Sequence, residues 1–403
     1  MTLLPPAPWR DRPGLAELND ALDASGGMTR IVGGAVRDTL LGVDVVDVDL
    51  ATRLLPDEVA ARVKAAGFKA VPTGLTHGTL TVVLPSGPIE VTTLRRDVST
   101  DGRRATVAFT DDWREDAARR DFTINALSAD PSTGHLYDYF GGLADLAVRR
   151  VRFIGDPFVR IAEDHLRILR FFRFHARFGT GMPDAAGLAA CETRANDLMA
   201  LSRERIAAEL LNLLAVTDPT PTIALMVERG IWRPVLPEIE EAGVERLARL
   251  IEREAATGVA RDPVRRLAAL LPPDRAIAVS VASRLKLSNA QRQRLELAAD
   301  RSQWVAAGSA WQRAHGIGTG PAIDQLLIGD EPVQKVAAMI GTMESGVAPT
   351  FPIKGRDLIA LGMKAGPAVA RTLQGIERAW VAADFPDEAW VRAEADRAMR
   401  DSS

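Results

Sequence analysis

An α+β fold, with a mixed α/β head followed by an all-helical remainder, is the class this 403-residue sequence predicts. Three observations carry the expectation. Short β-branched runs bounded by Gly and Pro are confined to the first hundred residues or so. A Gly-Gly turn, Gly33-Gly34, joins an apolar run to a helical pattern. From Asp156-Pro157 onward helical patterning continues almost to the end of the chain. A chain of this length forms two to four domains.

Residues 1–13 read as an irregular lead-in, and Leu15–Ala24 as a short helix ended by Gly26-Gly27. Ile31–Val32 leads into the Gly-Gly turn, Ala35–Leu41 reads as a helix, and Val43–Leu50 as a strand. Pro56-Asp57-Glu58 opens a helix through Ala66, with acids in its first turn where the helix dipole favours them. Phe68–Val71, Gly78–Leu84 and Ile89–Leu94 have strand character. The first half of Arg95–Arg120 reads as a long charged loop, and Trp113–Arg120 as a helix start; a loop of that length in a compact domain is often functional. Phe153 marks the last strand. Phe158–Phe178 reads as one helix, followed by further helices that include Ala185–Asn196, Ser202–Ala215 and Asn289–Ala307, then Val333–Ser345 and Pro367–Ala383.

Composition narrows the function classes. Apolar content of 47% and charged content of 26% are those of an ordinary globular protein, and a net charge of −3 confines any basic footprint to local patches. Cys191 is the single cysteine, which excludes a disulfide framework or a cysteine zinc site within the chain and fits a reducing, cytoplasmic setting. The Pro-rich start has no apolar segment of signal-peptide type, and no run of about 18 apolar residues predicts a membrane span. No protein partner is implied.

The chemistry-bearing residues fall in three stretches. In the first, strand, Gly33-Gly34 turn and helix start offer backbone N–H groups to a phosphate, and Arg37 adds a charged fork. Asp47 and Asp49 lie two apart in the next run and so share one face. Two such carboxylates suit a divalent cation, whereas a lone D-x-D is also what a polar strand edge shows. Here the pair follows the phosphate turn by one helix length, which brings phosphate and metal to one place. The second stretch, RRDFTINAL (119–127), supplies Arg120 for phosphate, Asp121 to accept from a ribose hydroxyl and Asn125 as donor and acceptor. The third, EDHLRILRFFRF (163–174), places Glu163, Asp164, Arg167 and Arg170 near one helical face. A solvent-facing Glu163–Arg167 ladder would look the same. Between Arg149 and Arg177 eight arginines face three acids, a local excess that includes Arg170 and Arg173 and suits a triphosphate and an RNA end. Phe171, Phe172, Phe174 and Phe178 interleave; most belong to the helix core, with one available to stack on a base.

GGAVRDTLLG…DVDLAT, RRDFTINAL and EDHLRILRFFRF resemble three signatures of the class II tRNA nucleotidyltransferase and bacterial poly(A) polymerase family. The resemblance runs from about Arg30 to the end, with its specific motifs between Gly33 and Arg177. His165 stands where the family usually has proline or alanine. The resemblance implies a nucleotidyltransferase head (1–145), a helical neck carrying a protein template for the base (146–215), a helical body (216–300) and a tRNA-binding helical tail (301–403). It implies catalytic Asp47 and Asp49 holding Mg²⁺, with Glu90 as a candidate third carboxylate. Gly33, Gly34, Arg37, Arg120, Asp121, Asn125, Asp164, Arg167, Arg170 and Arg173 would bind the nucleotide. The partners would be the tRNA 3′ end, CTP and ATP. In the tail half, Lys286, Arg292, Arg294, Lys354 and Lys364 suit tRNA contacts and solvated helix faces equally. The His- and Asp-rich phosphohydrolase domain of some members has no counterpart after residue 180, where His315 is the one histidine.

Donor–acceptor matching gives the template idea its chemistry. Cytosine and adenine both show an amino donor beside a ring-nitrogen acceptor, whereas guanine and uracil show a carbonyl beside an N–H. A carboxylate only accepts and a guanidinium only donates. Asp164 can take the amino hydrogen while Arg167 gives to the ring nitrogen, and the other two bases face like against like. The expected activity is therefore template-independent addition of C, C and A to tRNA 3′ ends. Poly(A) synthesis or addition of CC or A alone remain alternatives within the family, although THGTLTVVL (76–84) lacks the Gly-basic-basic-Phe-Arg element usual in poly(A) polymerases. A non-catalytic RNA-binding protein is the alternative from another class. Members that add only C lack a full loop at the position of Arg95–Glu115, so this chain resembles the complete enzymes.

Overall fold

The computed structural model describes residues 3–101, 104–300 and 308–401. The chain forms two compact units, Met1–Val235 and Leu236–Ser403.

The first unit begins with α1 (Leu15–Ala21), β1 (Thr29–Val32), α2 (Gly34–Leu40), β2 (Asp49–Thr52) and α3 (Pro56–Ala65). Then come β3 (Lys69–Gly74), β4 (Thr79–Leu84), β5 (Gly87–Thr93) and the hairpin β6 (Arg95–Asp101) and β7 (Arg104–Phe109). α4 (Trp113–Ala118), β8 (Ser128–Ala129), β9 (Leu136–Tyr137) and α5 (Gly142–Ala147) complete the head. Seven strands make one sheet in the order β3-β4-β5-β2-β1-β8-β9, and β6-β7 stand apart as a two-stranded ribbon. Every pairing in the large sheet is antiparallel except β2 with β5, which sets Asp49 beside Glu90. β1 sits inside the sheet with all four residues buried, the polar Thr29 and Arg30 included.

Three expectations change here. The strand read over Val43–Leu50 pairs only from Asp49, because its partner β1 ends at Val32, opposite Asp49, and turns into α2. The first half of Arg95–Arg120 is the β6–β7 hairpin rather than a loop, with Arg95 opposite Phe109. Phe153 makes a single bridge to Phe122 and no strand.

Five further helices close the first unit: α6 (Pro157–Glu163), α7 (Arg167–Phe178), α8 (Ala185–Thr193), α9 (Arg203–Leu214) and α10 (Thr220–Glu228). Asp156 caps α6 by accepting from the Phe158 amide, with Pro157 at the first helical position. The helix read over Phe158–Phe178 is broken. Asp164 is extended at φ −152° and ψ 105°, and its Oδ1 accepts from the Leu166 amide at 3.1 Å, so it ends α6 and caps the turn into α7. Phe122, Phe153, Phe171 and Phe174 form one aromatic cluster with ring centroids 5.0–6.2 Å apart. That cluster ties the 119–127 segment to α7, so the second and third motifs share a core.

The second unit is helical among its described residues: α11 (Glu241–Thr257), α12 (Pro263–Leu270), α13 (Arg275–Arg284), α14 (Asn289–Ala299), α15 (Ala310–Ala314), α16 (Thr319–Ile328), α17 (Val333–Ser345), α18 (Gly355–Ala360), α19 (Pro367–Ala382) and α20 (Glu388–Asp401). α14 starts with a Ser288/Gln291 capping box and ends at Ala299; the rest of the helix expected over Asn289–Ala307 runs beyond Asp300 into residues outside those described. Two buried carboxylates stitch the helices together. Glu254 of α11 receives Arg265 at 2.9 Å and Arg266 at 2.8 Å, and Asp324 of α16 receives Arg265 at 2.7 Å and Arg294 at 2.6 Å. Arg294 also bonds Asp262 at 2.7 Å, so it is an internal strut rather than the free cation that a tRNA contact requires. Among the described residues no helix is long and apolar enough to cross a membrane.

Candidate active site

A cavity of about 390 Å³ opens in the first unit, lined by residues from all three motif stretches. Gly33, Gly34, Arg37 and Asp49 come from the first, Arg120, Asp121 and Asn125 from the second, and Asp164, Arg167, Arg170 and Phe174 from the third. Gly33 holds φ +67° where β1 turns into α2, a conformation that favours glycine, and an added Cβ there would stand 3.1 Å from the Arg120 guanidinium.

Asp47 and Asp49 are exposed while Val48 and Leu50 are buried, so the two carboxylates project to one side although Asp47 precedes the strand. Asp49 lines the cavity. Loss of solvation there, then the charges of Glu90 and Asp47, raise its carboxyl above the ordinary range against the opposing pull of Arg120. Negative charge is thus gathered with little neutralisation, the setting that a divalent cation fits. Among the described residues no three acid, histidine or cysteine side chains close into a metal cage, so this chain supplies a carboxylate pair open to further ligands.

The polar wall is cross-braced. Asp121 Oδ1 accepts from the Phe122 amide at 2.8 Å and from Asn125 Nδ2 at 2.9 Å, and its Oδ2 accepts from Arg170 Nε and Nη2 at 2.9 and 2.6 Å. Burial opposes its ionisation, but Arg170 and these hydrogen bonds together hold it below the usual carboxylate range. Asn125 Oδ1 accepts from Arg37, whose guanidinium also pairs with Asp38 at 2.7 Å. Burial pulls Arg37 below its ordinary value. Asp116, itself buried, receives Arg119 at 2.8 Å and Arg120 at 3.3 Å, and of the two Arg120 lines the cavity.

Comparison with known proteins gives the family and the fold. Residues 29–152 match the family model described as the poly A polymerase head domain, and residues 184–242 that of the probable RNA and SrmB-binding site of polymerase A. The mitochondrial CCA tRNA nucleotidyltransferase 1 of Mus musculus is 33% identical over 382 residues, 91% of this chain and 86% of that protein. The CCA-adding enzyme of Levilactobacillus brevis is 31% identical over 91% of this chain and 93% of its own. This chain belongs to the CCA tRNA nucleotidyltransferase family. A solved structure, the Bacillus stearothermophilus CCA-adding enzyme in complex with CTP, superposes with a TM-score of 0.74 at 26% identity over 97% of this chain and all of that one. That of the Thermotoga maritima CCA-adding enzyme complexed with tRNA shares the fold at a TM-score of 0.70, 20% identity and full coverage of both chains.

In this nucleotidyltransferase two of the expected site residues lie outside the cavity lining. Asp47 stands beyond it on the same side as Asp49. Arg173 turns away and bonds Glu209 of α9 at 2.6 Å. Asp121, read as an acceptor for a ribose hydroxyl, instead has both oxygens taken by protein donors, so it orients Asn125 and Arg170. Phe174 is the one phenylalanine of its run on the lining; it is buried and carries Arg37, Arg170 and Arg173 on its faces at 4.7–5.4 Å, which makes it a prop rather than an open stacking surface.

Four residues that sequence reasoning left out of the site, or left in a surface ladder, shape it. Glu163 receives Arg167 and Arg160, and Arg160 in turn donates at 2.6 Å to the carbonyls of Arg119 and Arg120. Arg205 of α9 donates to both oxygens of Asp164. Asp116 was visible only as an acid in the first turn of α4. Nothing local marks Arg205, which reaches the site from 41 residues away.

Proposed function

We propose that this enzyme adds C, C and A to the 3′ end of tRNA, taking CTP and ATP as substrates and working in the cytosol. The observation that carries the reading is the single cavity in which a carboxylate of the acidic pair, a basic phosphate wall and an Asp/Arg pair converge. Asp164 accepts from the exocyclic amino group of the base and Arg167 donates to its ring nitrogen, an arrangement that leaves guanine and uracil with unpaired polar groups. Arg120 and Arg170, with the Gly33-Gly34 turn, hold the triphosphate. Asp47 and Asp49 would hold Mg²⁺, and Glu90 beside Asp49 adds negative charge without closing a three-carboxylate cage. When bound, the ion supplies Lewis-acid activation of the RNA 3′-hydroxyl and charge neutralisation of the departing pyrophosphate. The helices after residue 215 serve as body (216–300) and tail (301–403), and the tail contacts the tRNA.

Incubation with tRNA lacking its CCA end and each labelled nucleotide tests the reading. Two C additions followed by one A are expected. Repeated A addition would make the enzyme a poly(A) polymerase, a stop after CC or a requirement for a CC end would make it a partial enzyme, and tRNA binding without incorporation would make it a binding protein.

A further inference from the structure

The Asp164 carboxylate is not a free acceptor. It stands where the chain is extended between α6 and α7, with no helical backbone to fix its rotamer. Arg205 Nη2 lies 3.0 Å from its Oδ1 and 2.8 Å from its Oδ2, and the Leu166 amide takes a second position on Oδ1. An ionised carboxylate offers about four lone-pair positions. Two on Oδ1 and one on Oδ2 are filled, which leaves one, on Oδ2, for a ligand. Its partner is constrained the same way: Arg167 Nη1 donates to Glu163 and to the Arg160 carbonyl, and Nη2 to the Arg119 carbonyl at 3.3 Å. Asp164 and Arg167 line the cavity, whereas Arg205 and Glu163 do not.

We infer that Arg205 is the positioning residue for base choice. It holds the Asp164 carboxylate in one orientation and leaves it a single acceptor position, so that one amino hydrogen, and not a carbonyl, completes the set. The inference rests on the reading of Asp164 and Arg167 as the base-recognising pair. Arg205 binds both carboxylate oxygens from outside the cavity lining, so its loss both loosens the acceptor and multiplies its free lone pairs. Because one nitrogen makes both contacts, a lysine ammonium can take its place in charge and in donor number.

Single-turnover incorporation of all four nucleotides by Arg205→Met, Arg205→Lys, Asp164→Ala and the Arg205→Met/Asp164→Ala double variant tests it, with thermal melting of each. Arg205→Met is expected to raise KM for CTP and ATP roughly tenfold, the scale of one charge-assisted hydrogen bond, with a smaller change in kcat. GTP and UTP should lose less, so the four-way ratios compress. Arg205→Lys should restore most of the discrimination, and Arg205→Met should add nothing on the Asp164→Ala background. Unchanged ratios in a stable Arg205→Met enzyme would overturn the inference. So would equal loss for all four nucleotides in both Arg205 variants with a lowered melting temperature, since that is the behaviour of a strap between helices. If Asp164→Ala itself leaves the ratios unchanged, the base-recognising role of the pair fails; if Asp164→Ala shifts them and Arg205→Met does not, only the role of Arg205 fails.

Discussion

At the scale of single residues the site works by spending charge on orientation. Asp121 is buried, fully hydrogen-bonded and paired with Arg170. Asp121→Ala would strand Arg170, and breaking a buried pair costs about 3–5 kcal/mol. Glu209 remains 3.6 Å from Arg170, which places the expected loss at the lower end, readable by urea denaturation. The pH dependence follows from the sign of the shift. The folded value is depressed, so the stabilisation is complete above the unfolded carboxyl value near 3.8 and is lost as pH falls through the folded value. The stability gap between wild type and Asp121→Asn should therefore be widest near neutrality and close in acid; a gap that widens below pH 4 would contradict the assignment. Asp47 and Asp49 make the opposite case, two carboxylates with little protein charge to answer them. Asp47→Ala or Asp49→Ala should abolish incorporation of C and of A alike while tRNA binding by filter retention stays nearly intact, and near-normal turnover in either variant would remove the metal assignment.

At the scale of elements, the hairpin β6–β7 leaves the sheet directly after β5 and returns to α4, whose Asp116 pairs with Arg119 and with Arg120 of the cavity wall. Its base is tied down by an Arg95 guanidinium bond to the His77 carbonyl and by the Phe109 ring lying where a side chain at Gly78 would be. An element anchored at its base and joined to the phosphate wall can adjust the pocket between cytosine and adenine. Shortening the hairpin while keeping Arg95 and Phe109 should spare CC addition and impair the final A, measured on tRNA ending in CC; equal loss of both steps would reduce it to a stability element. The hairpin also shows where sequence reasoning runs out. Charged strands with few apolar residues, flanking a glycine, read as a loop, because periodicity reports burial and not hydrogen bonding. The three motif stretches were legible because each packs its chemistry into a few contiguous residues. The break at Asp164 was not, since a capping aspartate inside a strong helical pattern looks like any surface acid. The arginine excess over 149–177 reads differently in the fold for a related reason. Counted along the chain, it suggested free cations; across the fold, Arg150 and Arg152 meet Asp145, Arg170 meets Asp121 and Arg173 meets Glu209, acids that lie outside the counted window.

At the scale of the whole molecule, the chain divides after Val235 into two compact units. The first unit adds a sheet and an aromatic cluster to its ion pairs around a polar cavity, whereas the second is helical, with a hydrophobic cluster around Trp380 and a network of ion pairs through Asp324, which is fully buried. Asp324→Ala would leave Arg265, also buried, with Glu254 and the Ala260 carbonyl, and Arg294 with Asp262 as its remaining carboxylate. Removal of one partner from such a network costs about 3–5 kcal/mol because the remaining charges stay desolvated. A loss of that size in one unit need not pass to the other, since a chain of two compact units is not bound to melt as one. In calorimetry the variant should show an early transition for the second unit and an unshifted one for the first. CTP should still protect the first unit from heating, because every residue that lines the cavity lies before Val235. If tRNA recognition resides in the second unit, the same variant should lose tRNA affinity at temperatures where nucleotide binding persists. A single cooperative transition shifted as a whole, with CTP protection lost in parallel, would show instead that the two units stand or fall together.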